Sequence, residues 1–377
     1  MARQLAVATA ATLLVGLTPH IATAQTATAQ PATAQPAQGT PMAKPDTGSI
    51  KPDGTVIVPS FELPPSIYVS EEAKKAMPKA PTDPEAQMRQ LLAAGQIPAI
   101  RPKIGQYMAA QINPLKAMYK VETRDAVIAG VPAVYATPIG GVPKANAAKI
   151  LLNLPGGGFV MGMAPGTGMV ESIPLASLAG IEIVSITYRQ SPEASYPAAT
   201  EDVVKVYREL LKTHKPQDIG IFGCSAGGML TAEAMAAFVK EKLPMPAAIG
   251  IFCASADARW GGDSQTFTRP FQALPPRPAS RGYFEGVNLT DPAVSPVVSP
   301  ELLKRFPPTL IITATRAMEM SAAINTHREL IKAGATAELH VWDGLGHAFF
   351  YNPALPESRE AFDVMTHFFR QYLKLAK

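Results

Sequence analysis

Short apolar segments alternate with segments of helical character from residue 149 onward, and this alternation constrains the fold more than any other feature of the sequence. The apolar segments are rich in Ile, Val and Leu, which is typical of strands that are buried on both faces of a sheet. Helices between consecutive strands favour parallel connections. The sequence therefore predicts an α/β fold with a mostly parallel sheet. The predicted strands are residues 149–154, 181–188, 219–223, 247–254, 309–314 and 337–342.

The intervals between these strands differ in character. The interval 255–300 is rich in Pro and Gly and is longer than an ordinary connection, so we expect an insertion that lines a site. Most of the others have helical spacing of apolar residues, which predicts helices that flank the sheet. The predicted helices are residues 199–213, 226–242, 322–332 and 357–375.

Residues 49–120 precede this pattern and are rich in Pro. Two segments within them, 83–94 and 104–111, have helical character, but no strand pattern accompanies them. Helices without a sheet of their own must pack on another part of the chain. We therefore expect residues 49–120 to form an N-terminal cap region on an α/β domain of residues 121–377.

The N-terminus has the pattern of a secretory signal peptide. Arg3 precedes an apolar run over residues 5–17, and Ala22-Thr23-Ala24 is a small-residue cleavage site. The run is shorter than the roughly 20 apolar residues that a membrane-spanning helix needs, which disfavours an anchor. We expect cleavage after Ala24, a flexible Ala/Thr/Gln/Pro linker over residues 25–48, and a periplasmic or secreted protein without a membrane span.

Composition narrows the classes of partner. The 34 basic and 30 acidic residues give a net charge of +4 without a Lys/Arg-rich run, so nucleic acid is not an expected partner. Two cysteines, Cys224 and Cys253, form no disulfide framework, and we expect both to be free, with a bridge as the alternative. Neither a His/Cys cluster with metal-ligand spacing nor a nucleotide-binding glycine loop occurs, so we expect no metal and no cofactor.

The sequence Gly223-Cys224-Ser225-Ala226-Gly227 lies directly between a predicted strand and a predicted helix. A serine on such a sharp turn needs small neighbours, and the turn projects its hydroxyl group above the sheet. An incidental serine in a glycine-rich turn is the simpler alternative. The position between strand and helix favours Ser225 as a catalytic nucleophile.

Three glycines, Gly156, Gly157 and Gly158, follow an earlier predicted strand. Glycines leave backbone N–H groups unobstructed, and such groups stabilise the oxyanion that forms when a serine attacks a carbonyl carbon. A glycine triplet alone is weak evidence, since turns also use it. Because this loop precedes the serine turn, we expect the three glycines and the N–H of Ala226 to form an oxyanion hole.

Elimination among six histidines leaves one candidate for the general base. His347 lies in a loop after the last predicted strand and follows the nucleophile in the chain, as the base does in a strand-turn-helix hydrolase. A solvent-exposed histidine without a role is the alternative. The remaining histidines lie in the signal peptide, in a surface loop, in predicted helices or in a strand: His20, His214, His327, His367 and His340.

Five motifs occur in a diagnostic order: PGGGFVMG (155–162), YRQSPEASYPAATED (188–202), GCSAGG (223–228), DPAVSP (291–296) and DGLGHAF (343–349). Together they resemble the hormone-sensitive-lipase-like family of α/β-hydrolase esterases, from about residue 100 onward. The resemblance implies an α/β-hydrolase fold with a mostly parallel eight-stranded sheet flanked by helices, a helical N-terminal cap and no cofactor. It also implies hydrolysis of small carboxylic esters, commonly with short acyl chains.

The chain departs from the family pattern at three positions. Pro155 replaces the histidine that usually precedes the three glycines, and Cys224 replaces an aspartate before the nucleophile. Ala317 occupies the position of the triad acid, and Glu319 follows two residues later. We expect Glu319 to be the acid that orients His347, although Asp343, or no acid at all, are the alternatives.

The expected function is therefore a secreted or periplasmic serine carboxylesterase that hydrolyses short-to-medium acyl esters through an acyl-enzyme. An amidase or aryl-acyl hydrolase with the same residues is one alternative. A catalytically silent ligand-binding homologue is another, and the alanine at position 317 is the feature that favours it. The sequence gives no indication of the oligomeric state.

Overall fold

The computed structural model describes residues 48–59, 61–77, 94–163, 166–268 and 282–376. The chain separates into two compact units at Leu63 and Pro64. The described part of the first unit contains two short antiparallel strands, Ser49–Ile50 (β1) and Val56–Ile57 (β2). The predicted signal peptide, nearly all of the linker, and residues 83–93 of a predicted helix lie outside the described residues.

The second unit is built around an eight-stranded sheet with the order β10-β9-β8-β7-β5-β6-β4-β3. Strands β3 and β4 are antiparallel to each other, and β4 is antiparallel to β6, whereas every other neighbouring pair is parallel. The prediction of a mostly parallel eight-stranded sheet is confirmed. The strands are Val121–Ile128 (β3), Val131–Pro138 (β4), Ile150–Leu154 (β5), Glu182–Ile186 (β6), Ile219–Cys224 (β7), Ala248–Phe252 (β8), Thr309–Ala314 (β9) and Ala337–Trp342 (β10).

Helices cover both faces of this sheet. The α-helices in the described ranges are Glu71–Ala76 (α1), Ile97–Tyr119 (α2), Met169–Ala179 (α3), Ala198–Leu210 (α4), Ala226–Lys240 (α5), Ser264–Phe267 (α6), Pro300–Leu303 (α7), Met320–Lys332 (α8) and Pro356–Leu373 (α9). Short 3-10 helices occur at Lys144–Asn146, Pro216–Asp218, Pro296–Val298 and Phe349–Tyr351.

Two apolar clusters form the core. One contains residues of α4, α5 and α8, such as Val203, Leu230 and Leu330, and the other contains residues of α2, α3 and α9, such as Ile173 and Phe369. The central strands are buried on both faces, as their runs of Ile, Val and Leu require. This arrangement gives the site a rigid support at the carboxyl ends of the parallel strands.

All six predicted strands and all four predicted flanking helices are present, with ends that differ by a few residues. The helix predicted over residues 104–111 is longer and becomes α2, which contains Pro102 and Pro114. The expected cap region remains a prediction, although Ala73 of α1 and Met108 of α2 belong to the same core cluster as α3 and α9. Among the described helices, none has the length and apolar character required to cross a membrane.

Candidate active site

Ser225 lies on the turn between β7 and α5, with φ of 58° and ψ of −123°. This backbone conformation is strained for a residue with a side chain, and it is possible only where the surroundings hold it. Its neighbours must be small, because a Cβ atom on Gly227 would lie 1.7 Å from the carbonyl oxygen of Leu154 and one on Gly223 would lie 2.4 Å from Gly227. The sharp turn that the sequence predicts at Ser225 is present.

His347 lies in the loop after β10 and faces Ser225. Its Nε2 atom is 3.0 Å from Oγ of Ser225, and its Nδ1 atom is 2.8 Å from Oε2 of Glu319. The ring therefore joins a hydroxyl group on one side to a carboxylate on the other. The structure brings together the three residues that the sequence proposed from separate segments, 28 and 122 residues away from His347.

Glu319 immediately precedes α8 and is only 1% exposed. Its second oxygen, Oε1, accepts a hydrogen bond of 3.1 Å from Oγ1 of Thr313, which lies in β9. Ala317 is buried and forms the turn before the helix, since its carbonyl accepts from the N–H of Met320 at 3.3 Å. Glu319 thus supplies a carboxylate to His347, although Ala317 has no acidic side chain. Thr313 was not recognised as part of the site from the sequence.

The electrostatics of His347 follow from these contacts. Burial by itself lowers the pKa of His347, because a charged ring loses hydration. The negative charge of Glu319 and its hydrogen bond act in the opposite direction and outweigh burial, so the pKa of His347 is raised above its usual value. A raised pKa means that the site favours the imidazolium form, which a general base becomes when it accepts a proton.

Asp343, the alternative acid, has other partners. Its Oδ1 atom accepts a hydrogen bond of 2.9 Å from Oγ1 of Thr315, and its Oδ2 atom accepts a short hydrogen bond from Oγ of Ser66. The bond from Ser66 is the largest of several causes that lower the pKa of Asp343. The structure does not bring this carboxylate to the ring of His347, whose Nδ1 atom is engaged by Glu319.

The three glycines after β5 lie against the nucleophile. A Cβ atom on Gly156 would lie 3.2 Å from Cβ of Ser225, and Gly157 and Gly158 have φ values of +124° and +62° that favour glycine. Within the described part of the chain, no acceptor is found for the backbone N–H groups of Gly156, Gly157, Gly158 or Ala226. These groups are available to a ligand.

Two buried side chains hold this loop and were missed by sequence reasoning. The hydroxyl group of Tyr188 donates to the carbonyl oxygen of Pro155 at 2.5 Å, and Oε1 of Gln190 accepts from the N–H of Gly162 at 3.0 Å. Both belong to the motif at residues 188–202. They brace the loop that begins at Pro155.

Both cysteines are free and buried. Cys253 follows β8 and lies beside the triad, where its Sγ atom accepts a hydrogen bond of 3.2 Å from the N–H of Ala348. Its Sγ atom, a carboxylate oxygen of Glu319 and a ring nitrogen of His347 lie within 4.8 Å of one another. The spacing of these residues in the sequence gave no indication of this cluster.

The described part of the interval 255–300 lines a cavity of about 350 Å³. Asp257 and Arg259 form an ion pair of 2.8 Å at its wall, and Ser321 and Asn325 of α8 lie opposite. None of the triad residues belongs to its lining. That the interval 255–300 lines the reactive centre therefore remains a prediction.

Comparison with known proteins agrees with the geometry. A family described as having the alpha/beta hydrolase fold matches residues 151–351, which is more than half of the chain and includes Ser225, Glu319 and His347. The chain belongs to this α/β-hydrolase family. The resemblance to its hormone-sensitive-lipase-like esterases is confirmed by solved structures of similar fold, one of which is an esterase from the bacterial hormone-sensitive lipase family.

Proteins similar to this α/β-hydrolase are found both by sequence and among solved structures. An acetyl-hydrolase of Streptomyces hygroscopicus is 30% identical over 234 residues, which cover 60% of this chain and 77% of that protein. The crystal structure of esterase E25 has a TM-score of 0.71 and 27% identity, and covers 85% of this chain and 98% of that one. The esterase of the bacterial hormone-sensitive lipase family has a TM-score of 0.61, 26% identity, and coverages of 78% and 99%. The chain is an enzyme that hydrolyses ester bonds.

Proposed function

We propose that the protein is a serine carboxylesterase that hydrolyses short-to-medium acyl esters through an acyl-enzyme. The observation that carries the proposal is the continuous hydrogen-bonded series from Thr313 through Glu319 and His347 to Ser225. Such a series activates a serine hydroxyl group, which is otherwise a weak nucleophile.

The proposed reaction begins when Oγ of Ser225 attacks the ester carbonyl carbon and its proton passes to Nε2 of His347. Glu319 keeps the ring in the tautomer that accepts this proton, and its negative charge stabilises the imidazolium that forms. The N–H groups of Gly156, Gly157, Gly158 and Ala226 are the proposed donors for the oxyanion. His347 then protonates the leaving alcohol, and water releases the acid from the acyl-enzyme by the same steps.

Support for small acyl groups comes from two sources. One relative is an acetyl-hydrolase. In addition, Met161, Met163 and Met169 follow the glycine loop and are candidates for an apolar acyl pocket. Met169 is 2% exposed and packs in the core, so it is not available to a long acyl chain. Met161 and Met163, which follow the glycine loop, are partly exposed and remain candidates for that pocket.

The proposed location is outside the cytoplasm, in the periplasm or the medium. This part of the proposal depends on the N-terminal pattern of Arg3, the apolar run over residues 5–17 and the small residues before position 25. Expression of the full chain in a bacterial host followed by N-terminal sequencing of the exported protein tests it. A mature N-terminus at Gln25 is expected, and retention of Met1 in the cytoplasmic fraction would contradict it.

The activity is tested with p-nitrophenyl esters of increasing acyl length. We expect wild-type protein to hydrolyse the acetate and butyrate faster than the palmitate, and Ser225→Ala to fall to the uncatalysed rate. Ser255→Ala, which removes another buried serine hydroxyl outside the triad, is the matched control and should retain activity. A Ser225→Ala variant as active as wild type would refute the proposal.

Two further measurements separate the alternatives, which are a silent binding protein and an amidase. A fluorophosphonate probe should label wild type but not Ser225→Ala, whereas a silent binding protein would leave both unlabelled. Replacement of the butyrate ester by p-nitrobutyranilide tests the amidase alternative. A higher kcat/KM for the anilide than for the ester would assign the enzyme to amide hydrolysis.

A further inference from the structure

We propose that Cys253, His347 and Glu319 also form a binding site for a thiophilic divalent cation such as Zn²⁺, and that an ion bound there switches the hydrolase off. The inhibitory part rests on the proposed function, but binding of the ion does not. The observation behind it is the cluster of three ligand atoms, Sγ, a ring nitrogen and a carboxylate oxygen, all within 4.8 Å of one another.

The donor set is the one that Zn²⁺ prefers. Zinc is bound by cysteine sulfur at about 2.3 Å and by histidine nitrogen and carboxylate oxygen at about 2.0–2.2 Å, in tetrahedral geometry. Ligand atoms around such an ion are therefore about 3–4 Å apart. The present separations reach this range by side-chain shifts on the order of 1 Å. We assign Nδ1 as the nitrogen ligand, because it already faces Glu319.

The fold holds the thiol of Cys253 beside His347 and Glu319. Cys253 has a φ of 47°, a conformation that residues with a side chain rarely adopt. Its Sγ atom accepts a hydrogen bond from the N–H of Ala348, the residue that follows His347. Burial raises the pKa of the Cys253 thiol, and the N–H of Ala348 directed at sulfur acts in the opposite direction, so an ion bound here must displace the thiol proton. The proposed ester hydrolysis makes no use of this thiol.

Charge balance favours the bound state. The thiol of Cys253 loses its proton to solvent, and the imidazole proton moves from Nδ1 to Nε2 as Nδ1 binds the ion. One thiolate and one carboxylate then neutralise the two positive charges, so no net charge is buried. His347 carries a proton on Nε2 in this state and cannot accept the proton of Ser225, which explains inhibition.

The ion reaches the three ligands from the side on which the ring of His347 is exposed. Cys253 and Glu319 are buried, at 0% and 1% exposure, but the side chain of His347 is 22% exposed. An ion therefore meets His347 first and reaches the deeper ligands after a small movement of the ring. The groups that face Cys253 are the thiol of Cys224, the carboxylate of Glu319 and the backbone N–H of Ala348.

The first test is direct and needs no substrate. The full-length protein is titrated with Co²⁺, whose bond to a thiolate produces a near-ultraviolet charge-transfer band. We expect one equivalent to produce the band in wild type and in Cys224→Ala, the matched control with the other buried thiol removed. We expect no band in Cys253→Ser, which keeps the size of the side chain. Absence of the band in wild type, or its persistence in Cys253→Ser, would overturn the site.

The second test measures inhibition of p-nitrophenyl butyrate hydrolysis by Zn²⁺. Relative to its own metal-free rate, Cys253→Ser should require at least about tenfold more Zn²⁺ for half inhibition, because loss of even an outer-shell partner weakens a zinc site about 10-fold. Equal inhibition of wild type and Cys253→Ser would overturn the proposed switch. A Co²⁺ band in a wild type that hydrolyses no ester would instead leave the metal site in place and refute the proposed esterase.

Discussion

At the scale of single residues, the family resemblance places the triad acid at position 317, where this chain has alanine, and the geometry shows which carboxylate reaches His347 instead. Glu319 lies two residues beyond the position occupied by Ala317, and its side chain is one methylene longer than that of aspartate. It contacts Nδ1 of His347 at 2.8 Å and is fixed on its other oxygen by Thr313. A short turn before α8 and a longer side chain thus compensate for the change in position.

A neutral residue at position 319 is expected to change both the rate and its pH dependence. In the wild type, kcat/KM should rise as His347 loses its proton, with a midpoint above the ordinary imidazole value of about 6.5, because Glu319 raises the pKa of His347. Glu319→Gln removes that charge and leaves burial, which lowers the pKa. The rise should move to lower pH, and the plateau should fall by about 10⁴-fold.

The control for this measurement is Glu301→Gln, an exposed glutamate in the first turn of α7. Its pH profile should coincide with that of the wild type. If Glu319→Gln kept the wild-type midpoint and plateau, Glu319 would not be the group that orients His347, and Asp343→Asn would be the next variant to measure.

Most of the reactive residues could be predicted because local sequence determines them. Ser225 requires small neighbours in a turn between a strand and a helix, and His347 was found by elimination. Glu319 could be proposed but not decided, because the reach of its side chain depends on the turn that contains Ala317. Cys253 could not be recognised, since its approach to the triad depends on how β8 and the loop after β10 pack together.

At the scale of structural elements, the loop that carries His347 is held by contacts from the segment that follows β9. Oγ1 of Thr315 donates to Asp343 and accepts from the N–H of Gly344 at 2.8 Å. The N–H of Arg316 donates to the carbonyl oxygen of Leu345 at 3.0 Å. Thus the segment after β9, which leads to Glu319, and the loop after β10 are joined to each other just before the catalytic ring.

Removal of the hydroxyl group of Thr315 should loosen this connection without a change in side-chain size. We expect Thr315→Val to lower kcat by roughly 3- to 10-fold with little change in KM, which corresponds to the loss of about 1 kcal/mol from one hydrogen-bonded group. The measurement is steady-state hydrolysis of p-nitrophenyl butyrate over a range of concentrations.

Thr137→Val is the matched substitution, because the hydroxyl group of Thr137 also donates to a carboxylate, that of Glu182, at 3.0 Å, but on β4. It should leave kcat and KM unchanged. An equal effect of the two substitutions would mean that Thr315 acts only on general stability.

The sequence patterns of β3, β4 and α3 explain why these elements were not predicted. β3 and β4 were not predicted, because an antiparallel strand pair at the side of a sheet is exposed at many positions and lacks a continuous apolar run. The central parallel strands were found because burial on both faces demands that run. Helix α3 was missed since Pro174 interrupts its helical sequence pattern.

At the scale of the whole molecule, the core contains two acids without charged partners among the described residues. Burial raises the pKa of Glu171 to about 7 and that of Glu233 to about 8. Oε2 of Glu233 accepts a hydrogen bond of 3.1 Å from Thr200, and Oε1 has no partner in the described ranges. Both acids are therefore expected to be protonated in the folded protein under weakly acidic conditions.

This protonation predicts how stability depends on pH. Between the unfolded pKa of 4.5 and the folded pKa of about 8, the folded chain keeps a proton on Glu233 that the unfolded chain has lost. The contribution of this group to the free energy of unfolding therefore falls as pH rises through that interval. Glu233→Gln removes the titration, so its Tm relative to wild type should be higher at alkaline pH than at about pH 5.

Differential scanning calorimetry at the two pH values measures this difference. Glu209→Gln, which changes a half-buried glutamate on α4 that is paired with Lys212 at the surface, is the control and should show the same Tm difference from wild type at both pH values. A Tm difference for Glu233→Gln that does not change with pH would show that Glu233 is not protonated in the folded state.

The acid on the turn before α8 has a consequence for how such enzymes are recognised. Residues 317 and 319 lie in one short turn, and the carboxylate at position 319 reaches Nδ1 of His347 from it. A search for related enzymes by fixed residue spacing would overlook an acid placed in this way, whereas a search by the positions of the atoms in space would find it.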